Sequence, residues 1–519
     1  MNRFADFLIL PISLLLYAIL WYVLDPWLGY MLDSDGVAYL TIAKRVAHAD
    51  YFKSINGLWS PLNGWLLVPF LHRGMDAWQT AKLLNAIFGG LVICLSYLLF
   101  LRLNLSILMR RLFALSLPFI VVYFVYFQMF GDVLQLVFVL AYLNVFFADG
   151  FYRSWWNPVL CGILMGIGFY AKAYSLIFFF LHFAVLLFLA YRRQMVEKTK
   201  AIQWFIIGGL TALIMVLPWS VALHQKYGGW SLTGHAGALN MSWNINSAKS
   251  FKPDIGLMIP PTYNDSPSFW EDPYMTQENL SGPISSSKHF VRWVGRVIHT
   301  CMVAVGCFSE ISLFAGGIIL FAYFYFYRRR KEEEKSADHI AEQLFMTILL
   351  LPLGYLMMHI ETRYIWLNTF ILMMLGMWML QKYRNQFISE YLYKLNLLLV
   401  VVSFMLFPVS QYESLRFKNK DLFEVSGQLR KHSFKGKFSS NAIDAGRMWV
   451  IAYLTGTQFF TIERSDYTYD ELLKEIDRYG INYFIYTSEN NKPPLLLPQD
   501  RFELITKLDG MDVYQVKGE

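Results

Sequence analysis

The sequence predicts a polytopic α-helical membrane protein of about 11 transmembrane helices with a small C-terminal α/β domain. Three observations predict it. The 519 residues are 56% hydrophobic and 18% aromatic but only 16% charged, with mean hydropathy +0.38, whereas soluble domains carry roughly a quarter of charged residues. Apolar runs near 20 residues long, the length that crosses a hydrocarbon core of roughly 30 Å, recur along the chain. After about residue 410 the composition turns to that of a soluble protein.

The apolar runs fall near 7–24, 81–101, 112–128, 131–148, 157–171, 174–191, 202–221, 298–327, 341–358, 364–381 and 393–410. The first, FLILPISLLLYAILWYVL, is too long for a signal-peptide core and lacks a small-residue cleavage site before Asp25, so it is expected to stay as an anchor. Basic clusters at Arg110–Arg111, at Arg192–Arg193 with Lys198 and Lys200, at RRRK 328–331, and at Lys382 with Arg384 fall on one side. By the positive-inside rule that side is cytoplasmic. The net charge of +7 is then topological and not a nucleic-acid footprint. RRRKEEEK reads as a solvated loop.

Three pieces remain for the far side: residues 25–80, residues 222–297 and the chain after about 410. Turn signals Asn56–Gly57 and Ser60–Pro61 divide the first into short interfacial helices. The second is rich in Gly, Pro, Ser and Asn, and reads as a long loop. Its aromatics Trp230, Trp243, Tyr263, Phe269 and Trp270 suit an interfacial layer. In the third, QFFTI (458–462), INYFIYT (481–487) and DVYQV (512–516) are strand-like and flank TYDELLKEIDRYG, a helix with capping-box spacing from Thr468 to Glu471 and a stop at Gly480. This is a small α/β domain with nothing catalytic in it, read as a docking or structural module.

Cys94, Cys161, Cys301 and Cys307 lack metal-ligand spacing and read as packed thiols. Zinc-type clusters, phosphate-binding glycine loops, nucleophile elbows and internal repeats are absent from the sequence. The polar chemistry lies at the outer edges of the apolar runs. In MLDSDGVAYLTIAKR, starting at Met31, Asp33 and Asp35 precede a helical pattern in which Asp35 and Tyr39 share a face at i, i+4, with Ser34 as cap and Asp33 just outside. Acids at a helix N-terminus are favoured by the dipole alone, so capping is one reading. Others stand beside it on the same side. Lys172 in FYAKAYS sits between two apolar runs, where snorkelling is the bland explanation. His359, Glu361 and Arg363 crowd the turn MMHIETRYIW, where a Glu361–Arg363 pair is the bland explanation. A guanidinium and an ammonium together are what a phosphate needs.

Taken in order, D-G-V-A-Y (35–39), W-S-P-L (59–62), G-F-Y-A-K (168–172), P-W-S-V-A-L-H-Q-K-Y-G (218–228) and H-I-E-T-R-Y (359–364) give the chain a resemblance over roughly residues 1–410. It resembles the C-type glycosyltransferase (GT-C) superfamily, in the branch of protein O-mannosyltransferases and lipid A aminoarabinose transferases. The resemblance implies a GT-C-like catalytic module over 1–410 under a periplasmic α/β domain over 411–519. It also implies a bacterial inner (plasma) membrane location with the active site facing the periplasm. The implied reaction moves a sugar from a polyprenyl-phosphate donor to an acceptor hydroxyl on a glycan, lipid or protein, with inversion. By position, Asp35 would be the general base with Asp33 as helper or substitute, Lys172 and Arg363 would bind the lipid phosphate with His359 assisting, and Tyr39 and Tyr364 would line the substrate site. Relatives carry an Asp-Glu pair, whereas here Gly36 follows Asp35 and the second acid is Asp33, so the base stays open between the two. Relatives also often carry a further acid near the proline turn, and W-S-P-L has none. No cofactor is implied, although metal use varies in the superfamily and the two acids could hold a divalent ion. The rivals are a transporter or flippase of lipid-linked glycans, which would carry ionisable groups deep in its spans, a non-catalytic acceptor-binding regulator, and a glycan polymerase or ligase.

Overall fold

The computed structural model describes residues 2–127, 129–232, 234–246, 251–252, 254–278, 280–328, 336–386, 389–442, 444–464, 466–487, 497, 499–508 and 510–517. Most of the expected basic run RRRKEEEK lies outside these. The chain divides into two compact units: Met1–Gly29, Gln79–Asn246 and Ser281–Arg416 form one, and Tyr30–Trp78, Ser247–Leu280 and Phe417–Glu519 form the other.

The first unit is helical. Among the described residues of the chain, nine helices are long and apolar enough to cross a membrane. They account for nine of the eleven expected runs. The other two, 131–148 and 157–171, are the apolar helices Asp132–Phe146 and Trp156–Ala171, of 15 and 16 residues. At 1.5 Å per residue these are roughly 22–24 Å long, shorter than a bilayer core. The run 298–327, expected as one crossing, is instead two helices, Ser287–Ile311 and Ala315–Arg328. The break falls at Ser312, which is extended and shares its hydroxyl with Ser403 at 2.7 Å. Ser309 and Glu310 just before it are the only polar mark of the break within an otherwise apolar stretch.

In lipid, helices associate through close packing and hydrogen bonds, because lipid tails are as apolar as leucine. Both devices are used. A Cβ on Gly162 would lie 2.4 Å from the Gly208 carbonyl, so Trp156–Ala171 and Lys198–Tyr227 touch backbone to backbone. The Tyr17 hydroxyl donates to the Ala86 carbonyl at 2.8 Å, and Ser13 to that of Ala114 at 2.6 Å. Ionisable groups within or at the ends of the helices are satisfied locally. Lys82 pairs with Asp25 at 2.9 Å, Arg193 with Glu342 at 2.8 Å, and His182 sits between the hydroxyls of Tyr142 and Thr347 at 2.9 and 2.8 Å. Trp366–Lys382 is the central helix, with every residue from Trp366 to Met379 buried and Trp366 stacked on Phe124 at 4.0 Å.

The second unit is built on a six-stranded sheet. Its strands are β1 (Met258–Ile259), β2 (Lys437–Ser440), β3 (Gln458–Ile462), β4 (Tyr483–Thr487), β5 (Phe502–Leu508) and β6 (Met511–Val516), in the order β1-β3-β2-β4-β6-β5. β2 runs parallel to both β3 and β4, and the other pairings are antiparallel. The capping box at Thr468–Glu471 is formed and the helix stops at Gly480, whose φ of +62° is the left-handed conformation glycine tolerates. Strands β1, β2 and β5 were not expected. β1 has two residues and β2 reads KFSS, too short or too polar for an alternation signal. The segment expected as an unbroken long loop differs as well: it contains the helix Ala236–Asn246 and strand β1.

Short helices do occupy the first outer piece, at Ser34–Ala47, Tyr51–Ser54 and Leu62–Leu71. The first is buried from Gly36 to Ala43 and again at Arg45. Arg45 near its end is 5% exposed and is held by carboxylates from the 247–280 segment: Nη2 reaches Glu271 at 3.0 Å, and Nη1 reaches Asp265 at 3.0 Å. Nη2 also reaches Ser266 at 3.0 Å, and the guanidinium lies over the Tyr263 ring at 4.8 Å. Burial draws the Arg45 pKa down, but these carboxylates outweigh it and hold it above the usual arginine range. The Asn56 side-chain amide donates to the Glu271 carbonyl at 2.6 Å. The stretch 263–271 is therefore stapled within its unit.

Candidate active site

The first unit contains one conspicuous ionic cluster at helix ends. The helix Trp156–Ala171 stops at Lys172, which is extended (φ −157°, ψ 120°), and the next helix begins at Tyr174. This short break is what the paired apolar runs around Lys172 become. The Lys172 ammonium pairs with Asp132 and lies 3.9 Å from the Tyr364 ring centroid. Arg363, in the single turn Thr362–Ile365, contacts Asp132 at 3.9 Å through Nη1 and Glu361 at 2.7 Å through Nε. His359 Nε2 lies 2.9 Å from the other oxygen of Glu361. Tyr355 stacks on Tyr364 at 4.6 Å and closes the aromatic side. Of the residues expected from sequence, Lys172, Arg363, His359 and Tyr364 thus meet.

The residue at their centre, Asp132, was not foreseen. It opens the helix Asp132–Phe146 after Gly131, whose φ is +75°. A carboxylate there is favoured by the helix dipole, and in sequence GDVLQL reads only as the edge of an apolar run. Burial draws the Lys172 ammonium below the usual lysine range, while Asp132 opposes that and Arg363 adds to it. Burial alone would raise the Glu361 carboxyl, but the His359 hydrogen bond and the Arg363 charge prevail and bring it down to about 2. His359 and Glu361 are 42% and 37% exposed, so the cluster opens to a ligand on that side.

Asp33, Asp35 and Tyr39 lie in the second unit. Asp33 itself is the N-cap of Ser34–Ala47, accepting from the Gly36 N–H at 2.7 Å, which corrects the expectation that Ser34 caps and Asp33 stands outside. An aspartate reaches back to the third N–H with its backbone extended, the geometry a cap requires. Asp35 sits in the first turn and accepts from the Trp270 indole N–H at 3.3 Å. Trp270 stacks on Trp449 at 4.9 Å and 14°, and its carbonyl accepts from the Trp59 indole at 3.1 Å. The Tyr39 ring packs against Trp59 at 5.6 Å and is buried. Trp270 and the fully buried Phe269 are therefore packed, not members of an interfacial layer as expected. Trp230 is exposed and stacks on His224 at 4.2 Å.

A divalent ion on Asp33 and Asp35 fits poorly. One oxygen of Asp33 caps the helix, one of Asp35 takes the indole, and no group of three His, Cys, Asp or Glu side chains gathers to hold a metal among the described residues.

No family model and no curated protein sequence matches the chain. Solved structures do. The oligosaccharyltransferase of Archaeoglobus fulgidus, solved in complex with Zn and sulfate, superposes with a TM-score of 0.55 at 11% identity, over 92% of this chain and 68% of that one. The chain shares the fold of that membrane protein. ArnT from Cupriavidus metallidurans in the apo state also matches, at TM-score 0.41 and 11% identity, over 96% of this chain and 97% of that one.

Proposed function

We propose that the protein is a membrane glycosyltransferase. It takes a sugar from a polyprenyl-phosphate donor and places it, with inversion, on an acceptor hydroxyl at the periplasmic face of a bacterial inner membrane. The observation that carries the reading is the meeting of Lys172 and Arg363, 191 positions apart (363 − 172), around Asp132 beside two tyrosine rings. A departing lipid phosphate develops negative charge, and a guanidinium with an ammonium is the pair that stabilises it. Asp132 and Glu361 hold the cations in place until the phosphate competes for them. The acceptor hydroxyl needs a carboxylate to take its proton as it attacks the anomeric carbon. Asp35 is taken as that base and Asp33 as its substitute; each already accepts one hydrogen bond through one oxygen, from the Trp270 indole and the Gly36 N–H respectively.

The test is an assay of purified protein against a panel of radiolabelled polyprenyl-phosphate sugars, wild type beside Asp35→Asn and Lys172→Ala. Asp35→Asn is expected to lower turnover by about 10²–10⁴ while donor binding persists. Full turnover in that variant, with loss in Asp33→Asn, moves the base to Asp33. Full turnover in both overturns the reading.

A further inference from the structure

Within the helical unit, and independent of the cluster just described, an open groove of about 570 Å³ lies at the end of the helices that carries the basic clusters. Its walls come from the turn Phe151–Arg153 with Trp155, and from the start of the helix Lys198–Tyr227. Arg153 and Lys200 bring two cations against one carboxylate, Glu197, leaving one net positive charge. Thr199 and Gln203 add hydrogen-bonding groups. Lys200 is poised over the buried Trp204 at 5.0 Å, and Trp204 in turn stacks on Tyr152 at 5.6 Å and 2°. At the lip, Trp155 and Trp156 stack on each other at 3.9 Å and are 55% and 60% exposed. Stacked exposed tryptophans suit the level of lipid headgroups, where an apolar ring can keep its N–H wet.

The apolar continuation of the groove specifies the occupant. Below Gln203 the same helix exposes Ile206, Leu210, Ile214 and Leu217, spaced at i, i+4, i+8 and i+11 along one face. A free anion would use the head of this site and leave the stripe unused. We propose that the groove is a binding site for an anionic phospholipid: Arg153 and Lys200 take the headgroup phosphate, Trp155 packs on the glycerol region, and an acyl chain follows the isoleucine and leucine stripe. Basic recesses between helices near the cytoplasmic surface are suited to such headgroups.

The experiment uses the full chain in detergent, with bound lipid counted by native mass spectrometry and a thermal melt read in parallel. Phosphatidylglycerol, phosphatidylcholine and inorganic phosphate are the probes. The expected result is selective retention of phosphatidylglycerol, weakened about thirtyfold in the double variant Arg153→Ala/Lys200→Ala and preserved in Arg153→Lys/Lys200→Arg. Raising ionic strength about tenfold should release phosphatidylglycerol from the wild type and leave phosphatidylcholine unaffected, a measurement that does not depend on any variant folding. Equal retention of the two lipids overturns the proposal, as does undiminished binding by a folded double-alanine variant. Stabilisation by inorganic phosphate equal to that by the lipid overturns it too, since the stripe would then contribute nothing.

Discussion

Each unit holds a cation among carboxylates, and the two arrangements differ in one respect. Around Arg45 the guanidinium is spent on Glu271, Asp265 and Ser266, and Glu271 is 2% exposed. Around Lys172 the ammonium has one carboxylate and an aromatic face, and the neighbouring His359 and Glu361 reach the surface. A buried, fully subscribed guanidinium has nothing left to offer a ligand. A cluster with few partners and an open side can exchange one of them. The first staples its unit, and the second has the open side that the proposed phosphate site requires; the sequence around Arg45 and Lys172 does not reveal that difference.

Removing Arg45 should give the largest stability effect. Arg45→Ala leaves Glu271 buried without its counter-charge, a loss of about 3–5 kcal/mol, read as a lower melting temperature and faster proteolysis of the 247–280 segment. The apolar pair Arg45→Met/Glu271→Leu should recover most of that, because buried ion pairs cost nearly as much desolvation as they return. If Arg45→Ala melts like the wild type but binds donor poorly, the comparison is broken.

Lys172→Ala should act in the opposite sense. Asp132 keeps Arg363 within 3.9 Å, so stability changes little, while donor affinity falls by about ten- to a hundredfold, the worth of one charged hydrogen bond of about 1.5–3 kcal/mol. Isothermal titration with a polyprenyl phosphate measures it. A smaller loss is expected from Trp270→Phe, which keeps a ring beside Trp449 but deletes the N–H that Asp35 accepts. About 0.5–1.5 kcal/mol in kcat, with KM for the donor unchanged, would sharpen the view that Trp270 orients Asp35.

The smallest effect at neutral pH concerns Glu361. Its carboxyl is lowered from 4.5 to about 2, so its stabilising contribution is complete above 4.5 and is lost as the pH falls toward 2. The difference in melting temperature between wild type and Glu361→Gln should therefore shrink as the pH falls from about 4.5 toward 2. A difference that grows as the pH falls from about 4.5 toward 2 would contradict the assignment of His359 and Arg363 as its partners.

Much of the site was legible because its cations stand out against lipid-compatible sequence. Lys172 and Arg363 are conspicuous at the edges of apolar runs, and His359 and Tyr364 lie within a few residues of Arg363. Asp132 was not legible, since one acid in the first turn of an apolar helix is favoured by the helix dipole alone. Trp270 was misplaced for a related reason: an aromatic in a Pro- and Ser-rich loop beside membrane spans has the composition of an interfacial residue, and only its stack on Trp449, 179 positions away (449 − 270), shows that it is packed. The contacts also group residues 30–78 and 247–280 with the C-terminal part, a relation between segments hundreds of residues apart that no local pattern encodes.

By itself the sequence marked where the apolar helices lie, though not the break at Ser312, and the capping box at Thr468, because hydropathy and backbone capping act over a few turns of chain. Tertiary structure alone decided which charges meet: that Asp132 lies between Lys172 and Arg363, that Glu271 closes on Arg45, and that Asp35 receives an indole N–H. Pairing energies depend on distance and burial, and both are fixed only when segments remote in sequence are packed together.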